Sequence, residues 1–218
     1  MGAITRAAAN NITTGGVILP AGINDASVAS ITALAQVSAG DGITLISSQT
    51  ASSSASLSFT TGIDSTYRTY LFKFINCHPA TDDVSFQFNL STDGGSNYNV
   101  TKTSTCIWTY HNQTGVDADS LYDTSGDLAQ STSDQPITRL IGNGSDESVS
   151  GSLQLFNPSS TTYVKHFICD LDSYNRANYA QRFNVAGYGN TTSAVNAIRF
   201  KFSSGNIDAG TIYMYGIA

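Results

Sequence analysis

The sequence predicts an all-β protein: an antiparallel two-sheet sandwich of jelly-roll type, with an extended N-terminal arm and one short helix. Three observations lead there. Apolar side chains occupy every second position in Val84-Ser85-Phe86-Gln87-Phe88-Asn89-Leu90, in Ile198-Arg199-Phe200-Lys201-Phe202 and in Ile212-Tyr213-Met214-Tyr215, so each run turns one face to a core and the other to water. Turn signals such as Thr61-Gly62, Gly94-Gly95, Gly142-Asn143-Gly144, Asn157-Pro158 and Gly205-Asn206 separate the runs at short intervals. No helical stretch lies between the strands to carry a parallel crossover, which excludes a parallel α/β fold.

Taken in order, residues 1–22 read as an arm, because Gly15-Gly16 and Pro20-Ala21-Gly22 break any helix. Within it Val17, Ile18 and Leu19, with Ile12 ahead of them, form an apolar patch without a partner. Such an arm either folds back on its own domain or docks on a neighbouring subunit, and these four are the candidate docking residues. Asn24 or Asp25 caps a short helix running to Val37, with Val28, Ile31, Leu34 and Ala35 on one side and Gly40 ending it. Residues 1–42 therefore form an attachment region and 43–218 a sandwich domain. Ile43 to Ile46 begins the sandwich, and the Ser-rich stretch from Ser47 to Ser56 reads as a linker or a polar edge strand.

Ten further strands are expected near residues 55–61, 68–76, 84–90, 101–110, 136–141, 149–156, 162–170, 180–187, 195–203 and 210–217. Ser91-x-Asp93-x-Gly95-x-Asn97 resembles the Asp-box turn, so Asp93 is expected to accept from backbone amides and to reverse the chain into the next strand as a hairpin. Residues 112–135 form a long irregular insertion containing Asp117, Asp119, Asp123, Asp127 and Asp134.

Composition narrows the classes of function. The chain has 218 residues and a net charge of −6, with 10 basic residues scattered along it. No cluster is placed to neutralise several phosphates together, so nucleic acid is not an expected partner. No segment is long and apolar enough to insert in a bilayer, and no basic-then-apolar leader is read at the N-terminus. Cys77, Cys106 and Cys169 are an odd set in a chain too large to need a disulfide framework. They read as small buried hydrophobes in a protein assembled in a reducing cytoplasm.

Catalytic chemistry finds little purchase. His78 reads as a turn residue before Pro79, His111 as a strand end and His166 as mid-strand, and none is accompanied by a nucleophile elbow. The best carboxylate pair is Asp170 and Asp172, which share a face if their strand is extended; Asp82-Asp83 diverge, and Glu147 is the only Glu. Asp117-x-Asp119 with Asp123 has oxygen offsets suggestive of calcium, but lacks the central Gly and a closing Glu. No metal, cofactor or catalytic residue is assigned. Among the aromatics, Trp108 and Tyr110 lie on one side of their strand with Ile107 and Thr109 on the other. They are the candidate glycan or subunit contacts, while Tyr174, Tyr179, Tyr188, Tyr213 and Tyr215 add amphipathic surface.

Several stretches carry a resemblance: Thr61-Gly62-Ile63-Asp64-Ser65-Thr66-Tyr67-Arg68-Thr69-Tyr70 and its continuation Phe72 to Asp82, Leu155-Phe156-Asn157-Pro158-Ser159-Ser160, the run Ser203 to Ile212, and Ala7 to Thr14. Together they resemble virion structural proteins of tailed bacteriophages, notably those of aquatic phages and cyanophages. The resemblance implies a non-enzymatic particle component, a capsid decoration or cement protein or a short fibre or knob. It further implies copies of itself, as a trimer, and neighbouring virion proteins as partners. The alternative expectation is a tail-fibre receptor-binding domain that recognises host surface polysaccharide.

Overall fold

The computed structural model describes residues 42–218. The expected docking residues Ile12, Val17, Ile18 and Leu19, and the helix expected from Asn24 to Val37, lie outside the described residues. Among the described residues there are twelve strands and no helix: β1 (Ile43–Thr50), β2 (Leu57–Phe59), β3 (Thr69–Pro79), β4 (Phe86–Ser91), β5 (Lys102–Asn112), β6 (Ala118–Tyr122), β7 (Gln135–Pro136), β8 (Ser148–Phe156), β9 (Lys165–Tyr174), β10 (Tyr179–Gly189), β11 (Ala197–Phe202) and β12 (Ile207–Ile217). They form an eight-stranded sheet in the order β1-β12-β3-β8-β9-β10-β5-β6 and a four-stranded sheet in the order β2-β11-β4-β7. Every pairing is antiparallel.

The two sheets meet through phenylalanine. Phe200 on β11 lies at the centre, with ring centroids 5.0 Å from Phe74, 5.4 Å from Phe72 and 6.1 Å from Phe86. Phe88 on β4 meets Phe167 on β9 edge-on at 5.0 Å. Aromatic pairs at these separations and tilts favour the packed arrangement beyond the area they bury. Val84, Phe86, Phe88 and Leu90 are all buried, as their alternation requires. Asn89 is buried as well, because its amide donates to the Thr132 carbonyl and its oxygen accepts from Lys102 Nζ at 2.6 Å.

Several boundaries depart from expectation. The Ser-rich stretch continues β1 as an edge strand to Thr50. The Asp93 turn makes its expected bond to the Asn97 amide at 2.8 Å, but no hairpin follows. β4 belongs to the smaller sheet and β5 to the larger, so the turn is a corner between layers. The insertion 112–135 contains β6, paired with β5, while the strand expected at 136–141 shrinks to β7 and an isolated bridge from Ile141 to Val84. The three cysteines are free and buried, and burial pushes the Cys77 thiol up to about 12, away from reactivity.

Candidate functional site

The larger sheet has twice as many strands as the smaller. The inner face of β5 is covered by residues that return over it after β6 and lead into β7, the edge strand of the smaller sheet. Gln135 anchors this cover: it is fully buried, accepts from the Ser104 hydroxyl at 2.6 Å, and donates to the Gly126 and Pro136 carbonyls at 2.7 and 2.8 Å. Asp123 and Arg139 close it with an ion pair of 2.9 Å. Where the cover ends, Trp108, Tyr110, Asp117, Leu140, Asn175, Ala177 and Tyr179 line a groove of about 240 Å³.

Strand register assembles this groove. Trp108 sits opposite Phe183 and Tyr110 opposite Gln181 in the β5–β10 ladder, so alternation puts all four on one face. Trp108 stacks nearly parallel on buried Phe183 at 5.8 Å and lies 4.6 Å from Tyr110, which meets the Tyr179 ring edge-on at 5.6 Å. The Arg139 guanidinium carbon lies 5.4 Å from the indole centroid. With its amide nitrogen toward the Arg139 carbonyl, Gln181 donates there at 3.2 Å and accepts from the Trp108 indole N–H at 3.2 Å and from Asn175 Nδ2 at 3.0 Å. The Tyr179 hydroxyl donates to Asp117 Oδ2 at 2.6 Å. The result is a fixed wall of ring faces with a polar rim. Such a wall suits an amphipathic ligand with an apolar C–H face and hydroxyl edges.

The structure joins Trp108 and Tyr110 as the sequence suggests, and adds Asp117, Asn175, Tyr179, Gln181 and Arg139. The sequence signal for the group is the Trp108-x-Tyr110 alternation alone; the other residues arrive through pairing of β5 with β10, through the β9–β10 turn, through the β5–β6 loop that carries Asp117 and through the segment after β7 that carries Arg139.

The remaining candidates fall elsewhere. Asp170 and Asp172 do share a face, the outer one of the larger sheet, but Arg182 grips Asp170 with two bonds of 2.9 and 2.7 Å. That pairing holds the Asp170 carboxyl below its ordinary range, whereas a catalytic acid needs the opposite shift. Asp123 is taken by Arg139 and Asp127 accepts from the Tyr122 hydroxyl at 2.6 Å. Among the described residues no three His, Cys, Asp or Glu side chains converge as metal ligands. His111 and His166 are exposed.

His78 corrects its sequence reading. It lies within β3, not in a turn, and stands in a polar cleft with Asp146, Glu147 and Asp208. Its Nδ1 lies 2.6 Å from Asp208 Oδ1 and its Nε2 2.9 Å from the Gly144 carbonyl. Burial works against its charge, but the bonds to Gly144 and Asp208 outweigh it and raise its pKa.

In comparison with known proteins, the chain matches no family model, no curated protein and no solved structure.

Proposed function

We propose that this chain is a non-enzymatic structural subunit of a bacteriophage virion: a surface protein that docks through its N-terminal residues and displays a jelly-roll sandwich. The observation that carries this reading is the strand pairing. β1 pairs with β12, β2 with β11, β3 with β8 and β4 with β7, the rungs of one long antiparallel hairpin. Rolling it brings β12 beside β3 and β11 beside β4, the winding of a jelly roll. β5–β6 and β9–β10 are then insertions that widen one sheet. Jelly rolls recur in viral capsid and lectin domains, an argument by analogy of fold that the sequence resemblance to tailed-phage virion proteins reinforces. The use of Asp170, Asp123 and His78 in structural bonds is consistent with a non-enzymatic role.

Copies of itself, as a trimer, and neighbouring virion proteins are the proposed partners, and the virion, assembled in the host cytoplasm, is the proposed location. Support for self-association comes from the outer face of the larger sheet. Leu45, Tyr215, Leu71, Gln154, Ile168, Ala186 and Thr105 are successive cross-strand partners there. This row crosses seven strands, roughly 29 Å, without one charged side chain.

Immunogold labelling of particles and incorporation of a chain lacking residues 1–22 test the proposal. Label on the particle surface, lost with the truncation while the sandwich stays folded, is the expected result. Unlabelled particles, or normal incorporation of the truncated chain, would refute it.

A second reading, recognition of host surface polysaccharide, has one specific observation in its favour: the aromatic groove at Trp108, Tyr110 and Tyr179. Tyr110→Ala and Tyr179→Ala remove ring faces without opening the core. Each is expected to weaken binding to host polysaccharide about tenfold, the scale of one stacking contact. Unchanged binding by both variants removes the groove from this role.

A further inference from the structure

We infer that the groove selects neutral or amino sugars and rejects anionic ones such as uronic acids, an inference that rests on the glycan reading above. The reason lies in the charges around its mouth. Asp117 lines the groove, with Oδ2 taken by the Tyr179 hydroxyl and Oδ1 making no hydrogen bond among the described residues. That oxygen is an acceptor ready for a sugar hydroxyl or ammonium. Asp119 stands directly across from Tyr110 in the β5–β6 ladder, adding a second negative charge beside the ring. Partial burial together with the charges of Asp117 and Asp119 raises the Tyr110 phenol pKa, which places both carboxylates within electrostatic reach of the wall.

Neither nearby cation offsets them. Arg139 is matched by Asp123 at 2.9 Å while its guanidinium packs over Trp108. Arg176, in the turn that supplies Asn175 and Ala177, is bound to Asp83 at 3.0 Å. The cations near the groove are thus paired, while one carboxylate lines the groove and a second stands beside its ring wall. A ligand carboxylate meets repulsion in a partly desolvated site, a protonated amine meets attraction, and a neutral ring meets hydrogen-bond acceptors. The apolar wall serves all three equally, so charge decides among them.

Trp108 is the only tryptophan in the chain, so its fluorescence reports on the groove directly. The full chain is titrated with a glucosamine oligomer, an N-acetylglucosamine oligomer and a uronate oligomer at mildly acidic pH, at low and at high salt. At low salt the glucosamine oligomer is expected to bind at least about tenfold more tightly than the uronate. The gap narrows at high salt and closes in the Asp117→Asn, Asp119→Asn double variant. The amide oxygen introduced by Asp117→Asn can still accept from the Tyr179 hydroxyl, so the wall keeps its geometry, and a circular dichroism spectrum like the wild type's checks the fold. Uronate binding as tight as that of the amino sugar overturns the charge inference while leaving the glycan reading intact. No fluorescence change with any oligomer overturns the glycan reading, and this inference with it.

Discussion

The His78 imidazole is wedged between two acceptors, Asp208 Oδ1 at 2.6 Å and the Gly144 carbonyl at 2.9 Å. A neutral ring has one N–H and can satisfy one of them; only the imidazolium donates to both. The pKa is accordingly raised in the folded chain. Protonated His78 therefore adds stability that is fully present below the ordinary histidine value of about 6.5 and disappears as pH rises through the folded value. Asp208 is partly exposed, so solvent screens the pair and the contribution is on the order of 1 kcal/mol. The unfolding free energy of wild type should exceed that of His78→Gln most at about pH 5.5, and the difference should shrink above about pH 7. A difference that stays constant across this range rules the imidazolium clamp out. None of this was legible locally, because Asp208 lies 130 residues away from His78 in sequence. A Pro follows His78, and that alone suggested a turn. The burial of Lys102 and Lys165 is no more legible in the sequence, for a similar reason. Both are fully buried, facing each other across Gly189 in the ladders, and their ammonium groups bond the Val100, Ser160 and Tyr163 carbonyls.

At the scale of elements, strands with strict alternation were legible and those made by pairing were not. Phe86 to Leu90 and Ile198 to Phe202 carry their own hydrophobic period, so β4 and β11 could be read directly. β6 runs Ala-Asp-Ser-Leu-Tyr and exists because β5 offers it an edge to pair with. The Asp93 turn announced a reversal correctly, but turn chemistry says nothing about which layer receives the next strand. The groove suffers the same blindness: two of its residues alternate on β5, and the rest come from the β5–β6 loop, β10, the β9–β10 turn and the segment after β7. Gln135 should hold that cover in place. Replacing it with Leu leaves the Ser104 hydroxyl and the Gly126 carbonyl buried without their partner, at a cost of about 2 kcal/mol or more. Gln135→Leu should therefore lower the urea midpoint, and loosening of the cover should shift Trp108 emission to the red. Because β7 is a two-residue strand at the edge of the smaller sheet, its loosening leaves the other strand pairings in place, and the sheets should keep their far-ultraviolet dichroism. A variant with wild-type emission and stability shows that the cover is held some other way.

For the molecule as a whole, the two faces of the larger sheet raise different questions. The inner face is filled by phenylalanine and by the cover, while the outer face carries Ile43, Leu45, Ile75, Ile107 and Ile168 at 42% to 61% exposure. Single exposed apolar residues are ordinary. A charge-free row running across seven adjoining strands is another matter, since contiguous patches of this kind mark sites of association. Its span of roughly 29 Å by about 7 Å, the spacing between rows, is a strip on the order of 200 Å², the dry centre of a contact whose flanking rows would supply the rest of the ~800 Å² that each partner of a standard interface buries. Charges lie in the neighbouring rows, Lys73 opposite Ser152 and Asp170 beside Arg182, where they can border an interface without being buried in it. Under the proposal of a trimeric surface subunit, this row is where copies should meet. Leu45→Lys with Ile168→Lys puts two charges into it at positions that support no core contact, so the fold should survive. Sedimentation velocity should find the wild-type chain as a trimer and the double variant as a monomer, because each ammonium would have to be desolvated in a dry contact. A wild-type chain that stays monomeric at high concentration, or a double variant that still assembles, means the copies do not meet across this face.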